Sequence, residues 1–240
     1  MLTNSADRSL TSMEKVVIII NSEAHGIGKP SRLSPVAERM VNALKQAIPE
    51  TLAVEVISAA SLWSKSESPK NSKNLIYCPL TIQLPLGFDF PGRTIYQNCR
   101  DLEARRTWVE QKLAFQTSIG DSWLGDLWLP IVLTPKGPLY GEVIGEGAMP
   151  NAYQQPIDLT DDLRQPLYYL AHQLLENISA PPSVYLLQFS LLGKDIVFDR
   201  LWPFPAAPAI ASIKIQNPNL YACYWHCLTN QPILDLAIVP

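Results

Sequence analysis

Two short apolar runs separated by a turn sequence constrain the fold of this chain most strongly. Residues 184–189 and 196–201 are rich in branched and aromatic side chains, and Ser-Leu-Leu-Gly-Lys-Asp lies between them. This pattern predicts a β-hairpin. If Leu192 and Gly193 form the turn, Gly193 takes the positive φ that a tight turn requires. We therefore expect two paired strands in this part of the chain.

Two polar residues, Gln188 and Asp199, interrupt the apolar hairpin. With the turn at Leu192-Gly193, Gln188 pairs with Val197, and side-chain alternation places Gln188, Asp199 and Leu201 on one face. Gln188 and Asp199 are then roughly 7–8 Å apart, within joint reach of one ion. Alternatively, both are structural: Gln188 is a hydrogen-bonded core amide, and Asp199 pairs with a basic residue.

Residues 140–214 resemble the last hairpin region of ATP-grasp enzymes. In that family an acid or Gln on the first strand, and a Glu-x-Asn followed by Pro on the second, hold the magnesium ion of ATP. The resemblance implies Gln188 and Asp199 as metal ligands and Mg-ATP as the cofactor. Leu201 stands where the family has Asn, and a leucine side chain cannot ligate a hard cation.

A second hairpin is predicted from residues 127–133 and 138–144, with Thr-Pro-Lys-Gly as its turn. Active ATP-grasp enzymes carry a Lys for the ATP phosphates on such a strand, followed by a flexible Gly-rich lid. This strand has no Lys, and no such lid follows it. The resemblance leaves Lys136, in the turn, and Arg200 as candidate nucleotide-binding residues. The interval between a helix that starts at Asp101 and this hairpin is too short for the family's small ATP-clamping lobe.

Two carboxylates, Glu142 and Glu146, follow the second hairpin in the sequence Gly-Glu-Val-Ile-Gly-Glu-Gly. On an alternating strand they face the same side. Glu142 either joins Asp199 in a cation site, as a third candidate metal ligand, or is a solvated loop acid.

The first part of the chain alternates strand, helix and strand. Residues 16–21 are a continuous apolar strand, and Ser34 and Pro35 are typical of a helix start. Strands at 52–57 and 74–80 follow, and this order implies parallel pairing with right-handed crossovers. The predicted fold class is α/β, with a Rossmann-like N-terminal half packed on an ATP-grasp-like α+β C-terminal half. We divide the chain into a flexible tail, a Rossmann-like part and an ATP-grasp-like part, packed as one compact unit, with boundaries at residues 1–13, 14–98 and 99–240.

Four other segments carry predictions. The loop at residues 25–30 is either a turn or a ligand contact before the first helix. The helix from Asp101 to about residue 115 has a basic face that is either solvated or binds an acidic partner or a phosphate; its residues are Arg100, Arg105, Arg106 and Lys112. A helix is predicted near residues 166–177. Residues 219–240 are predicted to form a closing hairpin or an edge extension.

Composition excludes several classes of protein. The net charge is −3 and the isoelectric point about 5.6, so no general positive field favours nucleic acid. No apolar run reaches the roughly 18 residues that a membrane span requires. The first fifteen residues lack the apolar core of a signal peptide. A cytoplasmic protein is therefore expected, without a disulfide framework or a zinc site.

Two functions remain. The first is a degenerate ATP-grasp-like protein, a pseudoenzyme that acts as a binding or assembly factor through the aromatic residues Trp202, Phe204 and Trp225. The alternative is a divergent Mg-ATP-dependent ligase that joins a carboxylate to an amine or a thiol. Three departures favour the first function: Leu201 in place of Asn, the absence of a strand Lys and the absence of a Gly-rich lid.

Overall fold

The computed structural model describes most of the chain, namely residues 15–22, 33–64, 74–121 and 125–239. The loop predicted at 25–30 and the tail predicted at 1–13 lie outside these ranges. The strands are β1 (Lys15–Ile20), β2 (Ala53–Ser58), β3 (Leu75–Pro79), β4 (Gln116–Thr117), β5 (Leu127–Thr134), β6 (Gly137–Tyr140), β7 (Val143–Glu146), β8 (Tyr153–Ile157), β9 (Ser183–Leu192), β10 (Asp195–Trp202), β11 (Gln216–Asn217) and β12 (Ala237–Ile238). The α-helices are α1 (Pro35–Ala47), α2 (Ala59–Ser64), α3 (Arg93–Arg100), α4 (Leu102–Leu113), α5 (Asp161–Asn177) and α6 (Leu220–Leu228), and a 3₁₀ helix covers Ala207–Ser212.

The first sheet has three parallel strands in the order β2-β1-β3. All residues of β1 except the first are buried, as expected for a central parallel strand. The Ser34 side chain accepts a hydrogen bond from the Ala37 N–H at 3.2 Å, and Pro35 is the first residue of α1. The predicted strands, their parallel pairing and this helix cap are confirmed. The Rossmann-like assignment stays a prediction.

The second sheet has seven strands, in the order β4-β10-β9-β5-β7-β8 with β6 beside β5. Neighbouring strands are antiparallel, except that β4 runs parallel to β10. Eight of the ten residues of β9 are buried, because both faces of the sheet are covered. The two predicted hairpins are β5–β6 and β9–β10.

Each face of the second sheet packs against a different apolar cluster. Leu170, Leu174 and other inward residues of α5 pack with Leu187 and Phe189 of β9 on one face. On the other face, Val184 and Leu186 belong to a cluster that also contains α6, α1 and the first sheet. One apolar core therefore joins the two sheets. None of the helices in the described ranges combines the length and apolarity that a bilayer crossing requires.

Two helix predictions need correction. α5 begins at Asp161, five residues before the predicted start at Pro166, and Pro166 lies inside the helix. Asp161 and Asp162 lie in its first turn, where negative charge is favourable. Within residues 219–240, predicted as a closing hairpin or an edge extension, residues 220–228 form the helix α6. It is capped by Asn219, whose side-chain oxygen accepts from two helix N–H groups.

Candidate functional site

The β9–β10 hairpin forms with a register that differs from the predicted one. Gly193 and Lys194 are the turn residues. Gly193 has a φ of +65°, and a two-residue turn of this kind places glycine first. The prediction placed glycine second. This turn moves the partner of Gln188 by two positions from Val197, and an irregularity between Phe198 and Arg200 moves it by one more, so Gln188 lies opposite Arg200.

A β-bulge at Asp199 changes the face that the following residues take. The pairing shifts between Phe198 and Arg200, which leaves Asp199 as the extra residue of the bulge. An extra residue bends the strand and inverts the alternation beyond it. Leu201 therefore packs in the α5 cluster, on the face opposite to the predicted one.

The carboxylate of Asp199 is fully buried, at 0% exposure, and protein groups bond both of its oxygens. Oδ1 accepts from Arg106 Nη2 at 2.7 Å and from Arg200 Nε at 3.2 Å. Oδ2 accepts from the N–H of Gly125 at 2.6 Å. Such charge-assisted hydrogen bonds offset the cost of removing the carboxylate from water.

Both the nitrogen and the oxygen of the Gln188 amide form hydrogen bonds. Its Nε2 donates to the carbonyl oxygen of Gly125 at 2.6 Å, and its Oε1 accepts from the indole N–H of Trp202 at 2.9 Å. The main chain of Gly125 thus connects Gln188 to Asp199. A Cβ at Gly125 would lie 2.5 Å from the main-chain oxygen of Phe189, so this close approach to β9 requires glycine.

Arg106 is the site residue whose environment the sequence prediction misjudged. The prediction puts it on a basic face that is either solvated or binds an acidic partner or a phosphate, but only 9% of Arg106 is exposed. Besides Asp199 Oδ1, its guanidinium donates to the Asp199 carbonyl at 3.0 Å and to the Gly120 carbonyl at 2.8 Å. The signal in the sequence was its spacing: Arg106 precedes the buried Val109 by three residues, and such residues share one helix face.

Arg200, predicted to bind nucleotide, lies beside this cluster. Its Nη2 donates to Asp121 at 2.9 Å, and its guanidinium carbon lies 5.8 Å from the ring centre of Trp202. It is partly buried and lines a cavity. Its role toward a nucleotide stays a prediction.

The structure does not bring Lys136 or Glu142 to Gln188 and Asp199. Lys136 is exposed in the β5–β6 turn, at the opposite end of β5 from Gly125. An eight-residue strand spans roughly 26 Å, too far for a lysine side chain to reach across. Glu142 precedes β7 and pairs with Arg164 of α5 at 3.4 Å.

Two adjoining cavities of about 430 and 370 Å³ open beside the Gln188–Asp199 cluster. Ile82, Gln83 and Trp202 belong to the walls of both; we call the pair the cleft. Arg200 lines the larger cavity and Gln188 the smaller one, whereas Asp199 lines neither. The smaller cavity also meets the ends of β1 and β3 and the start of α1. Ligands of open α/β sheets bind at such carboxyl ends of parallel strands.

The aromatic surface predicted for a protein partner does not exist as proposed. Phe204 is 2% exposed and Trp225 is 1% exposed, so both belong to the core. Trp202 is partly exposed and faces the cleft. The prediction of partner binding through Phe204 and Trp225 is wrong, because core aromatic rings cannot contact another protein.

Comparisons of sequence find weak relatives. No protein-family model matches the chain. Two formate-dependent phosphoribosylglycinamide formyltransferases of Prochlorococcus marinus are 24% identical to it over 104 residues. That match covers 42% of this chain and only 26% of the length of those relatives.

Comparisons of structure cover nearly the whole chain. The glycinamide-RNase-transformylase T of Mycobacterium tuberculosis has a TM-score of 0.60 at 12% identity, covering 91% of this chain and 80% of that one. The N5-carboxyaminoimidazole ribonucleotide synthetase of Thermotoga maritima gives 0.62 at 9% identity, covering 94% and 78%. A carboxyaminoimidazole ribonucleotide synthase of Aspergillus clavatus, complexed with ATP, gives 0.64 at 8%, covering 93% and 78%. These neighbours are ATP-grasp-type enzymes. The chain has an ATP-grasp-like fold.

The segment between α4 and β5 is short. Residues 114–126 separate the two elements, and within them the structure describes the two-residue strand β4. That the small ATP-clamping lobe is missing or reduced here stays a prediction.

Magnesium does not fit between Gln188 and Asp199 as they lie in this ATP-grasp-like fold. The ion takes oxygen ligands and keeps several waters, but Asp199 is sealed from solvent and bonded to Arg106, Arg200 and Gly125. Within residues 15–22, 33–64, 74–121 and 125–239, no group of three His, Cys, Asp or Glu could hold a metal ion. The guanidinium groups of Arg106 and Arg200 supply the positive charge next to Asp199.

Proposed function

We propose that this ATP-grasp-like protein is a non-catalytic binding protein that holds its ligand in the cleft. The ion pair of Arg106 with Asp199 carries the proposal. The family resemblance assigns the Asp199 carboxylate to magnesium, and here an internal arginine neutralises it. Metal ions bridge and neutralise the phosphates during phosphoryl transfer. A chain that has replaced this metal site with an ion pair lacks that contribution to catalysis.

A nucleotide is the first ligand to consider for the cleft. The Aspergillus clavatus synthase forms a complex with ATP, and a related synthetase forms one with ADP. Arg100, Arg200 and Trp202 in the cleft wall offer positive charge and a ring face. The N-terminal end of α1, whose partial positive charge favours anions, also lies in the wall of the cleft. These groups support binding of a phosphorylated ligand without a metal ion.

The second candidate is the ATP-dependent ligase, and the comparisons favour it. The similar proteins are a formyltransferase, synthetases, a synthase and a ligase by name. Gln188 and Arg200 also line the open cleft, as a nucleotide site would need. In this proposal Asp199 must exchange Arg106 for Mg-ATP when substrate binds.

Three further predictions accompany the proposed function. The chain forms two parts, 14–98 and 99–240, that share the core described above. It resides in the cytoplasm. It does not bind nucleic acid, in keeping with its net charge of −3.

Thermal unfolding with three additions separates the two functions: Mg-ATP, ATP with EDTA, and magnesium alone. A ligand that binds only the folded state adds roughly 2.7 kcal/mol at one hundred times its dissociation constant. The binding protein should show the same rise in melting temperature with and without magnesium, and no release of ADP. Arg200→Gln should reduce that rise, whereas Arg39→Gln, which alters an exposed arginine of α1, should not.

The ligase predicts a different pattern of results. The rise in melting temperature would require magnesium, and ADP would form when carboxylic acids and amines are supplied together. That pattern would overturn the non-catalytic proposal. The absence of any shift with ATP would remove the nucleotide as the ligand.

A further inference from the structure

Trp202 is the aromatic residue that belongs to the walls of both cavities of the cleft. It is the last residue of β10 and is partly exposed. The guanidinium carbon of Arg200, two positions earlier, lies 5.8 Å from its ring centre, and Arg100 lines the larger cavity beside it. An aromatic ring and positive charge therefore lie next to each other in the cleft wall.

Three contacts hold the Trp202 ring in one orientation. Its indole N–H donates to Gln188 Oε1 at 2.9 Å, and Arg200 lies over the ring. Its ring also meets that of Phe204 nearly at right angles, with the ring centres 6.0 Å apart. Phe204 belongs to the core and stacks on Tyr96 at 5.7 Å. A side chain that is already fixed before a ligand arrives loses little conformational freedom on binding.

Gln188 is placed to act on a ligand through Trp202. Only 5% of Gln188 is exposed, and its Nε2 donates to the Gly125 carbonyl at 2.6 Å. Turning the amide would break this buried bond, which is costly. The resemblance assigns the Gln188 side chain to magnesium, but here its oxygen accepts from the indole N–H. Gln188 thus connects the main chain of Gly125 to a ring in the cleft wall.

We propose that Trp202 selects ligands that contain a planar ring, and that Gln188 is the positioning residue that fixes Trp202 for this contact. The ligand ring packs on Trp202, and its phosphate lies near Arg200. Every nucleobase has a face that can stack, so this contact distinguishes a ring from no ring and not one base from another. The inference rests on the proposed function of the cleft and adds the part of the ligand that the protein recognises.

AMP and ribose 5-phosphate test the proposal, because they share the sugar phosphate and differ in the base. Calorimetric titration of the full chain in EDTA should show AMP binding at least about fivefold more tightly, the effect of one stacked base. We call this ratio of dissociation constants the ring preference. Trp202→Leu should reduce it below about twofold. Trp108→Phe alters a tryptophan of α4 that does not line the cleft, and should leave it unchanged.

Gln188→Leu and Trp202→Phe break the same hydrogen bond from opposite ends. Each should lower the ring preference at least about twofold and change the affinity for ribose 5-phosphate by less. The double variant should lower it no further than Trp202→Phe alone, because the bond is already absent. Trp202→Phe leaves the bond between Gln188 and Gly125 in place, so the test does not depend on the stability of Gln188→Leu.

The indole N–H signal of Trp202 in ¹H–¹⁵N spectra reports the positioning directly. Its loss in Trp202→Phe identifies it among the signals of the six tryptophans. AMP should move this signal in the wild type more than ribose 5-phosphate does. In Gln188→Leu its proton should move to lower frequency, as expected when a hydrogen bond is lost. A purely structural role of Gln188 would lower stability and leave the ring preference unchanged.

Four results would overturn the inference, and they separate it from the proposed function. Equal affinity for AMP and ribose 5-phosphate would exclude ring recognition, although the cleft would still bind phosphorylated ligands. An unchanged ring preference in Gln188→Leu would exclude the positioning role. Weaker binding by Gln188→Leu only when magnesium is present would make Gln188 a metal ligand. No binding of either compound, together with no melting shift from ATP, would overturn the proposed function as well.

Discussion

Two buried polar regions are built in opposite ways. One is the cluster around Asp199, and the other is a cavity of about 400 Å³ lined by Tyr77, Tyr96, Tyr185 and Tyr224, which we call the tyrosine cavity. Around Asp199, the carboxylate accepts from the buried Arg106 guanidinium, and the carboxylate and the Gln188 amide both bond the main chain of Gly125. In the second region, the Tyr77 hydroxyl is buried and has no partner within the described chain. The first region has satisfied its polar groups internally, and the second leaves one hydroxyl unbonded.

The difference shows that a region can resemble the ATP-grasp family without having polar groups that a ligand can reach. The Asp199 region carries the family resemblance, yet its carboxylate is sealed from solvent. The tyrosine cavity carries no resemblance and has an open, uncharged wall. Removing one polar group from the Asp199 region should therefore lower the free energy of unfolding strongly, whereas removing the Tyr77 hydroxyl should leave it almost unchanged.

The largest effect is expected for Arg106→Ala. It leaves the Asp199 carboxylate buried with its main counter-charge removed, which costs about 3–5 kcal/mol for such pairs. Urea denaturation measures the change in unfolding free energy. Arg105→Ala, on the same helix, removes a more exposed contact to Asn177 and should cost no more than about 1 kcal/mol. Similar losses for the two variants would contradict the internal-cation role of Arg106.

The double replacement Arg106→Met with Asp199→Leu sharpens this test. Replacing a buried ion pair by apolar residues of similar volume is often neutral or stabilising. The double variant should therefore be more stable than Arg106→Ala by at least about 2 kcal/mol. An equal or greater loss would show that the pair also fixes the β10 bulge.

The next largest effect is expected for Gly125→Ala. The new Cβ would meet the main chain of Phe189, which is fixed in the centre of the sheet. A clash of this kind costs about 1–3 kcal/mol and should also disturb the contacts to Gln188 and Asp199. Gly87→Ala is the matched control, since nothing lies within 4 Å of its Cβ position and its φ is not positive. The melting temperature of Gly125→Ala should be clearly lower than that of Gly87→Ala.

Local patterns predicted several strands and helices but not their contacts, and they missed the helices α3 and α6. The apolar run of β1, the Ser34 cap and the hairpin at Gly193 follow from neighbours in sequence. The hairpin register was wrong because a glycine fits either position of a two-residue turn, depending on the turn type. The bulge at Asp199 follows from packing across the sheet, and no residue type in the strand indicates it.

The features that the sequence did not predict depend on contacts between residues far apart in the chain. Arg106 and Asp199 are 93 positions apart, so the sequence alone could not pair them. Gln188 and Asp199 were recognised as a polar pair, but their link through Gly125 was not predicted. The tyrosine cavity combines four separated segments, and its unbonded hydroxyl is visible only when the other three tyrosines have been assigned partners.

A smaller difference in stability is expected between variants of two tyrosines of the cavity. Tyr185→Phe removes a hydrogen bond to the Pro181 carbonyl and should cost about 1 kcal/mol. Tyr77→Phe removes no bond, and should change the unfolding free energy by less than about 0.5 kcal/mol or stabilise the fold. Guanidinium denaturation of both variants checks the difference. A larger loss for Tyr77→Phe would mean that its hydroxyl has a partner in solution.

The smallest effect concerns His226 on α6, whose Nδ1 is also buried without a partner in the described chain. Burial lowers the pKa of His226 below its ordinary value of about 6.5. The unfolded chain then binds more protons than the folded chain as pH falls through 6.5, so folding stability decreases toward acid. Wild type should lose more unfolding free energy than His226→Gln between about pH 8 and pH 5. Equal losses would show that His226 finds a proton acceptor in the fold, which would place it with the satisfied groups around Asp199 and not with Tyr77.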